Sequence, residues 1–91
     1  MKKATVEKIR TEFLGKEINF YNLDNYMSEN GYYSVFDDGA IEDIKADKNV
    51  VYTGLDTNEC EVIIEFEITI DSSEDEAEEN FDLKVISVEK F

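Results

Sequence analysis

Two alternating segments near the C-terminal end constrain the fold more than any other feature of this sequence. A period of two residues is typical of a β-strand that buries one face and exposes the other. In the segment from residue 59 to 71, one face carries Cys60, Val62, Ile64, Phe66, Ile68 and Ile70, and the other carries Glu59, Glu61, Ile63, Glu65, Glu67 and Thr69. In the segment from residue 81 to 90, one face carries Phe81, Leu83 and Val85, and the other carries Asp82, Lys84, Ile86, Val88 and Lys90. The two segments predict a long antiparallel hairpin.

The alternation also predicts a register for this hairpin. Matching the apolar positions pairs Ile68 with Leu83 and Phe66 with Val85 on the core side. The same register predicts three outer pairs, which are Glu67 with Lys84, Ile63 with Val88, and Glu61 with Lys90. Two of these pairs join opposite charges, and the third joins two aliphatic side chains.

Helical patterns dominate the N-terminal third. Thr5 is a plausible N-cap, and Val6, Ile9, Phe13 and Leu14 share one helical face, which predicts a helix over residues 5–14 that stops at Gly15. A second short helix is predicted with Asn22 as its cap and with its end at residues 29–31.

The middle of the chain gives mixed signals. Residues 33–36 resemble a short strand, residues 37–39 a turn, and residues 40–45 either a helical turn or a returning strand. Residues 49–53 predict another strand. We therefore expect an α+β fold in one domain over residues 1–91, with two short N-terminal helices packed on a three- or four-stranded antiparallel sheet that includes the long C-terminal hairpin.

Composition argues against an enzyme. The chain has no His and a single cysteine, Cys60, which removes the usual general base and most zinc ligand sets. Cys60 fits a small inward-facing residue of the strand. Asp37, Asp38, Glu42 and Asp43 favour turn and helix-capping roles over an acid/base pair or a metal site. No cofactor or metal is expected. A calcium loop over residues 71–82 lacks the glycine that its sixth position requires, because Glu76 stands there.

Acidic residues are concentrated between Asn49 and Leu83. This interval holds 12 of the 23 carboxylates and neither Lys nor Arg, in a chain of net charge −14. On the predicted strand, alternate glutamates would form a row with a spacing of about 6.7 Å. The predicted partner-binding residues continue this row into the following loop, and they are Glu59, Glu61, Glu65, Glu67, Glu74, Asp75, Glu76, Glu78 and Glu79.

Such a row has two interpretations. It can be a solvated sheet face that discourages aggregation, or it can occupy a Lys/Arg groove that another protein uses for a nucleic-acid backbone. In size, acidity and α+β character the chain resembles the small inhibitors encoded by phages and mobile elements, among them anti-CRISPR and antirestriction proteins, several of which mimic DNA. That resemblance covers composition and charge layout, and it assigns no functional residue.

The sequence thus favours a stoichiometric inhibitor of a nuclease or another nucleic-acid-binding effector, acting through a basic groove on its partner. Two alternatives remain open: an immunity protein or antitoxin that covers a basic toxin, and an acidic assembly subunit that associates through an exposed Ile63 and Val88 pair. The negative charge opposes direct binding to nucleic acid. No signal-peptide or membrane-spanning run follows the N-terminus, so we expect a cytoplasmic protein, and a dimer is compatible with the sequence.

Overall fold

The computed structural model describes residues 3–34, 40–71 and 81–91. Its elements, in chain order, are α1 (Val6–Phe13), β1 (Glu17–Asn19), α2 (Phe20–Glu29), β2 (Tyr32–Ser34), α3 (Ala40–Asp47), β3 (Asn49–Gly54), β4 (Cys60–Asp71) and β5 (Phe81–Lys90). The predicted α+β class with an antiparallel sheet is confirmed. The predicted strand count was too low, because the sheet has five strands in the order β1-β5-β4-β3-β2.

The helix α2 explains how β1 and β2 reach opposite edges of the sheet. These two strands are separated in sequence by little more than α2 itself. Five neighbouring strands span about 19 Å, and the 10 residues of α2 span about 15 Å. The helix contacts β1, β5 and β2, so it crosses the sheet from one edge to the other. Its apolar residues cover one face of the sheet.

Side-chain caps fix where the first two helices begin. The Thr5 hydroxyl accepts a hydrogen bond from the Lys8 amide at 3.1 Å, which confirms the predicted cap of α1. The predicted cap of α2 at Asn22 was wrong. The side chain of Asn19 caps α2, accepting a hydrogen bond from the Tyr21 amide at 2.9 Å. The earlier start places Phe20 in the helix and in the core.

The core lies between the helices and one face of the sheet. Three aromatic rings fill its centre: Phe20 stacks on Phe81 with centroids 5.1 Å apart, and Phe66 lies 6.1 Å from Phe81. The buried apolar residues around them are Ala4, Ile9, Phe13, Leu23, Met27, Tyr32, Val50, Tyr52, Val62, Ile64, Leu83, Val85 and Val88.

The hairpin of β4 and β5 confirms the predicted register only in part. Ile68 pairs with Leu83, Phe66 with Val85, and Glu67 with Lys84, as expected. Beyond these pairs the register shifts by one residue at Ile86, where a β-bulge lets β5 carry an extra residue.

This bulge overturns the last two predicted pairs. Val88 lies opposite Ile64 and is fully buried, so it does not pair with Ile63 on the outer face. Lys90 lies opposite Val62 and not opposite Glu61. A strict period of two cannot continue through a bulge, because the extra residue exchanges the two faces of the strand.

Two further register shifts alter β4. An extra residue at Thr69 leaves Ile70 opposite Asp82 and 54% exposed, although alternation placed Ile70 in the core. An extra residue at Glu61 leaves Cys60 opposite Thr53. The predicted inward position of Cys60 was wrong, because its side chain is exposed.

Several predictions fall partly or wholly outside the described residues. The predicted strand over residues 33–36 is confirmed only for Tyr33 and Ser34, and the turn at residues 37–39 lies outside the described part of the chain. The segment from residue 40 to 45 belongs to a helix, which settles the choice between helix and strand. No helix in the described ranges is long and apolar enough to cross a membrane.

Candidate protein interface

The register identifies the side chains on the sheet face opposite the helices, which we call the outer face. Residues directly opposite one another on neighbouring strands share a face. Three rows result from the observed pairs. From one end of the sheet to the other, they contain Glu17, Lys84 and Glu67; then Asn49, Glu65 and Ser87; then Val51, Ile63 and Glu89.

Glu65 and Glu67 occupy this outer face as predicted. Both side chains are exposed. Neither carboxylate forms a salt bridge with any residue in the described ranges. Lys84 lies between Glu67 and Glu17 in the register, so one positive charge stands beside two negative ones on this row. Glu65 has only the uncharged Asn49 and Ser87 opposite it.

Glu61 does not belong to the exposed row. The ammonium group of Lys3 donates to both carboxylate oxygens of Glu61 at 2.9 Å, and to one oxygen of Asp56 at 2.9 Å. The Thr57 hydroxyl also donates to Glu61 at 2.8 Å. The bulge at Glu61 turns this side chain away from the alternation of the strand. The structure therefore gives Glu61 a structural partner within its own chain.

Hydrogen bonding to Lys3 shifts the protonation equilibria of this cluster. Lys3 lowers the pKa of the Glu61 carboxyl, with a smaller contribution from Thr57. Lys3 likewise lowers the pKa of the Asp56 carboxyl. In return, the two carboxylates raise the pKa of the Lys3 ammonium group well above its ordinary value, with Glu61 contributing most. All three groups are therefore charged at neutral pH.

The surroundings of the Lys3 cluster hold the N-terminal segment in place. The Lys3 ammonium group lies 5.7 Å from the centre of the Tyr32 ring, and the Tyr32 hydroxyl donates to the Ala4 carbonyl at 2.7 Å. Gly54 leaves the space that the Glu61 carboxylate fills, because a Cβ atom at Gly54 would collide with it. Counting acidic residues could not reveal this cluster, since its lysine lies more than 50 residues away in the sequence.

The other predicted partner-binding residues divide into two groups. Glu59 is exposed in the turn before β4, where its backbone carbonyl accepts a hydrogen bond from the Gly54 amide at 3.0 Å. Those in the segment that joins β4 to β5 lie outside the described residues, and they are Glu74, Asp75, Glu76, Glu78 and Glu79. Their contribution to binding stays a prediction.

The outer face also carries apolar side chains between its charges. Val51 lies opposite Ile63, and both are half-buried. Ile86 projects from the bulge and is 53% exposed. A groove of about 360 Å³ separates Ile86 from Leu14, and Glu67 and Lys84 also line it. Leu14 was predicted to share the core-facing side of α1, but it lies beyond the end of the helix and is 47% exposed.

The other candidate groups are the carboxylates that could hold a metal ion and the exposed thiol of Cys60. Within residues 3–34, 40–71 and 81–91, no group of three or more His, Cys, Asp or Glu side chains is arranged to hold a metal ion. The Cys60 sulfur lies 3.9 Å from the Thr53 hydroxyl. Of the Asp37, Asp38, Glu42 and Asp43 cluster, only the side chain of Asp43 is described, and it is exposed.

Comparison with known proteins does not assign the chain to a family. No family model, curated protein or solved structure matches it.

Proposed function

We propose that this protein is a stoichiometric inhibitor that docks its acidic hairpin into the basic groove of a nucleic-acid-binding effector, such as a nuclease of a defence system. One observation carries the proposal. Glu65 and Glu67 stand exposed and without salt bridges to the described residues, on a strand inside a block of 12 acidic residues that contains no Lys or Arg.

The spacing of these carboxylates suits a groove built for phosphates. Side chains two residues apart on a strand are separated by about 6.7 Å. Each strand of B-DNA carries one charge per about 3.4 Å along the helix axis. Successive phosphates are farther apart than this rise because the strand also winds around the axis, so two carboxylates about 6.7 Å apart would suit neighbouring phosphate positions, and Lys or Arg side chains placed for phosphates could contact both carboxylates.

The whole-molecule charge supports fast association with a basic partner. A net charge of −14 on 91 residues produces a strong negative field, which accelerates encounter with a positively charged groove and repels nucleic acid. Glu61 is paired with Lys3. The predicted partner-binding residues that the structure describes and that remain available are therefore Glu59, Glu65 and Glu67. The acidic residues at positions 74–79 would extend this set.

The test is capture of a partner with the purified protein as bait, followed by binding measurements with two charge-matched variants. The first carries Glu65→Lys and Glu67→Lys on the outer face. The control carries Glu12→Lys and Glu29→Lys, which change the net charge equally, are exposed, and lie in the last turns of α1 and α2, where a positive charge is favourable.

The expected result is capture of a basic nucleic-acid-binding protein that is released by high salt and displaced by competing DNA. The outer-face variant should bind this partner much more weakly than the helix variant, and the helix variant should retain most of the native affinity. Equal binding by both variants would show that only net charge matters, and capture that DNA does not displace would contradict competition for a nucleic-acid groove.

The immunity-protein and assembly-subunit alternatives differ in the surface that each would use. An immunity protein or antitoxin would use the same charges, and the identity of the captured protein distinguishes it from an inhibitor of a defence effector. The assembly-subunit alternative relied on an exposed pair of Ile63 and Val88, and that pair does not exist because Val88 is buried.

A further inference from the structure

We infer that the outer face recognises an apolar side chain of its partner as well as the partner's positive charges. The recognised surface would be an aliphatic or aromatic residue flanked by Lys or Arg. This inference rests on the proposed function, because it specifies the chemistry of the basic partner.

The first argument is the arrangement of apolar and acidic side chains in the rows of the sheet. Val51 and Ile63 lie side by side on the outer face, and Glu89, which also forms a salt bridge with Arg10 at 3.5 Å, lies next to Ile63 in the same row. The neighbouring row contains Glu65. Apolar contact area is therefore framed by carboxylates, which is the arrangement of an interface with an apolar centre and a charged rim.

The second argument is the groove between Ile86 and Leu14. Both side chains are about half exposed, and the volume of about 360 Å³ between them is large enough for one side chain of a partner. Glu67 and Lys84 both line the same groove and lie opposite each other, so one of the proposed charge contacts lies directly beside the apolar contact, next to one positive charge of this chain. A bound residue would thus contact aliphatic walls while a neighbouring Lys or Arg reached Glu67.

Charge complementarity identifies a basic protein, and not a second copy of this chain, as the occupant. Two copies in contact through this face would bring Glu65 and Glu67 of one protomer close to those of the other, with Lys84 as the one positive charge in the three described rows of each face. Like charges at such close range oppose association, whereas a partner that carries Lys or Arg relieves the repulsion.

Two synthetic peptides test this inference directly. One contains two leucines flanked by lysines at both ends, and the other has serines in place of the leucines, so their charges are equal. Binding to the purified protein is measured by titration calorimetry at low and high salt. We expect the leucine peptide to bind about tenfold more tightly than the serine peptide, because about half of one large aliphatic side chain is removed from water on each partner.

Two single substitutions then locate the contact. Ile86→Thr keeps a β-branched residue on the strand and removes part of the apolar wall. Leu55→Thr is the matched control, because Leu55 is also 53% exposed but lies in the turn after β3. The Ile86 variant should lose most of the leucine-peptide preference, and the Leu55 variant should retain it.

The outcomes separate this inference from the proposed function. The inferred apolar contact would be wrong if the two peptides bound equally, or if Ile86→Thr left the preference for leucine unchanged. Either result would leave the proposed function standing. If neither peptide responds to Glu65→Lys and Glu67→Lys, the acidic face does not bind positive charge and the proposed function fails as well. Tight self-association in the absence of peptide would assign the face to a second copy and overturn the inference.

Discussion

The β-bulge at Ile86 predicts that alanine substitutions at two nearby positions of β5, Ile86 and Val88, change stability by different amounts. Val88 is fully buried and lies opposite Ile64, whereas Ile86 is 53% exposed on the outer face. Without the bulge, continued alternation would place both residues on the outer face. Replacing each with alanine therefore measures whether the register shift exists.

The expected magnitudes follow from burial. Val88→Ala removes two buried methyl groups, worth about 0.8 kcal/mol each in transfer free energy, and leaves a cavity that adds to the cost. We expect the free energy of unfolding to fall by about 2 to 3 kcal/mol. Ile86→Ala removes more atoms, but half of them already contact water, and its cost should stay below about 1 kcal/mol, mostly from reduced β-propensity.

Urea denaturation followed by circular dichroism measures both variants against the native sequence. For a small protein the dependence of the unfolding free energy on urea is on the order of 1 to 3 kcal/mol per molar, so Val88→Ala should lower the midpoint by roughly 0.7 to 3 M. Ile86→Ala should lower it by less than half as much. A larger loss for Ile86→Ala than for Val88→Ala would refute the bulge and restore the uninterrupted alternation.

Three further predictions concern the contacts that fix the N-terminal segment and α2. Hydrogen bonding to Lys3 lowers the pKa values of Asp56 and Glu61 in the folded state, so the stability that they contribute is present above their ordinary pKa values and is lost as the pH falls. Lys3→Met should therefore make the free energy of unfolding less dependent on pH in the acidic range. An unchanged dependence would show that Lys3 does not pair with the two carboxylates. Gly54→Ala should displace the Glu61 carboxylate, the far end of a flexible side chain, from Lys3 and Thr57 at a cost of about 1 kcal/mol, and should cost less in a Glu61→Ala background, whereas additive costs would show that the two residues do not collide. Asn19→Ala should destabilise the protein by about 1 kcal/mol more than Asn19→Ser in thermal or urea unfolding, because both variants lose the hydrogen bond to Asp82 and only serine keeps the cap, and equal effects of the two would exclude a capping role.

The parts of the fold that were predictable are those in which local chemistry and tertiary packing agree. The Thr5 hydroxyl can cap a helix, and the residues after it have the apolar spacing of a helix. The helix α1 begins there. Phe66 and Ile68 find Val85 and Leu83 because both strands alternate without interruption in that part of the hairpin. The strand β1 was missed because Glu17–Asn19 is too short to show a period, and it is a strand only through its pairing with β5.

The candidate site was less predictable because its arrangement depends on bulges, which leave no residue signature in this sequence. Ile86 and Glu61 look like ordinary members of alternating strands, yet each is the extra residue of a register shift. One shift brings Val88 into the core and exposes Ile86 next to the groove with Leu14. The other directs Glu61 to Lys3.

The bulges also make the glutamates of β4 differ in their availability to a partner. Sequence alone treats Glu61, Glu65 and Glu67 as equivalent, because they share one strand and one side-chain type. In the structure, Glu61 shares the Lys3 ammonium group with Asp56, whereas Glu65 and Glu67 are exposed and form no salt bridge with the described residues. Both side chains of the Lys3–Glu61 pair are partly exposed, and a basic groove that bound Glu61 would have to replace its hydrogen bonds to Lys3 and Thr57, so Glu61 offers such a groove less net attraction than Glu65 or Glu67. The affinity of the outer face for a basic partner should therefore depend strongly on Glu65 and Glu67, whereas Glu61 should affect stability more than binding.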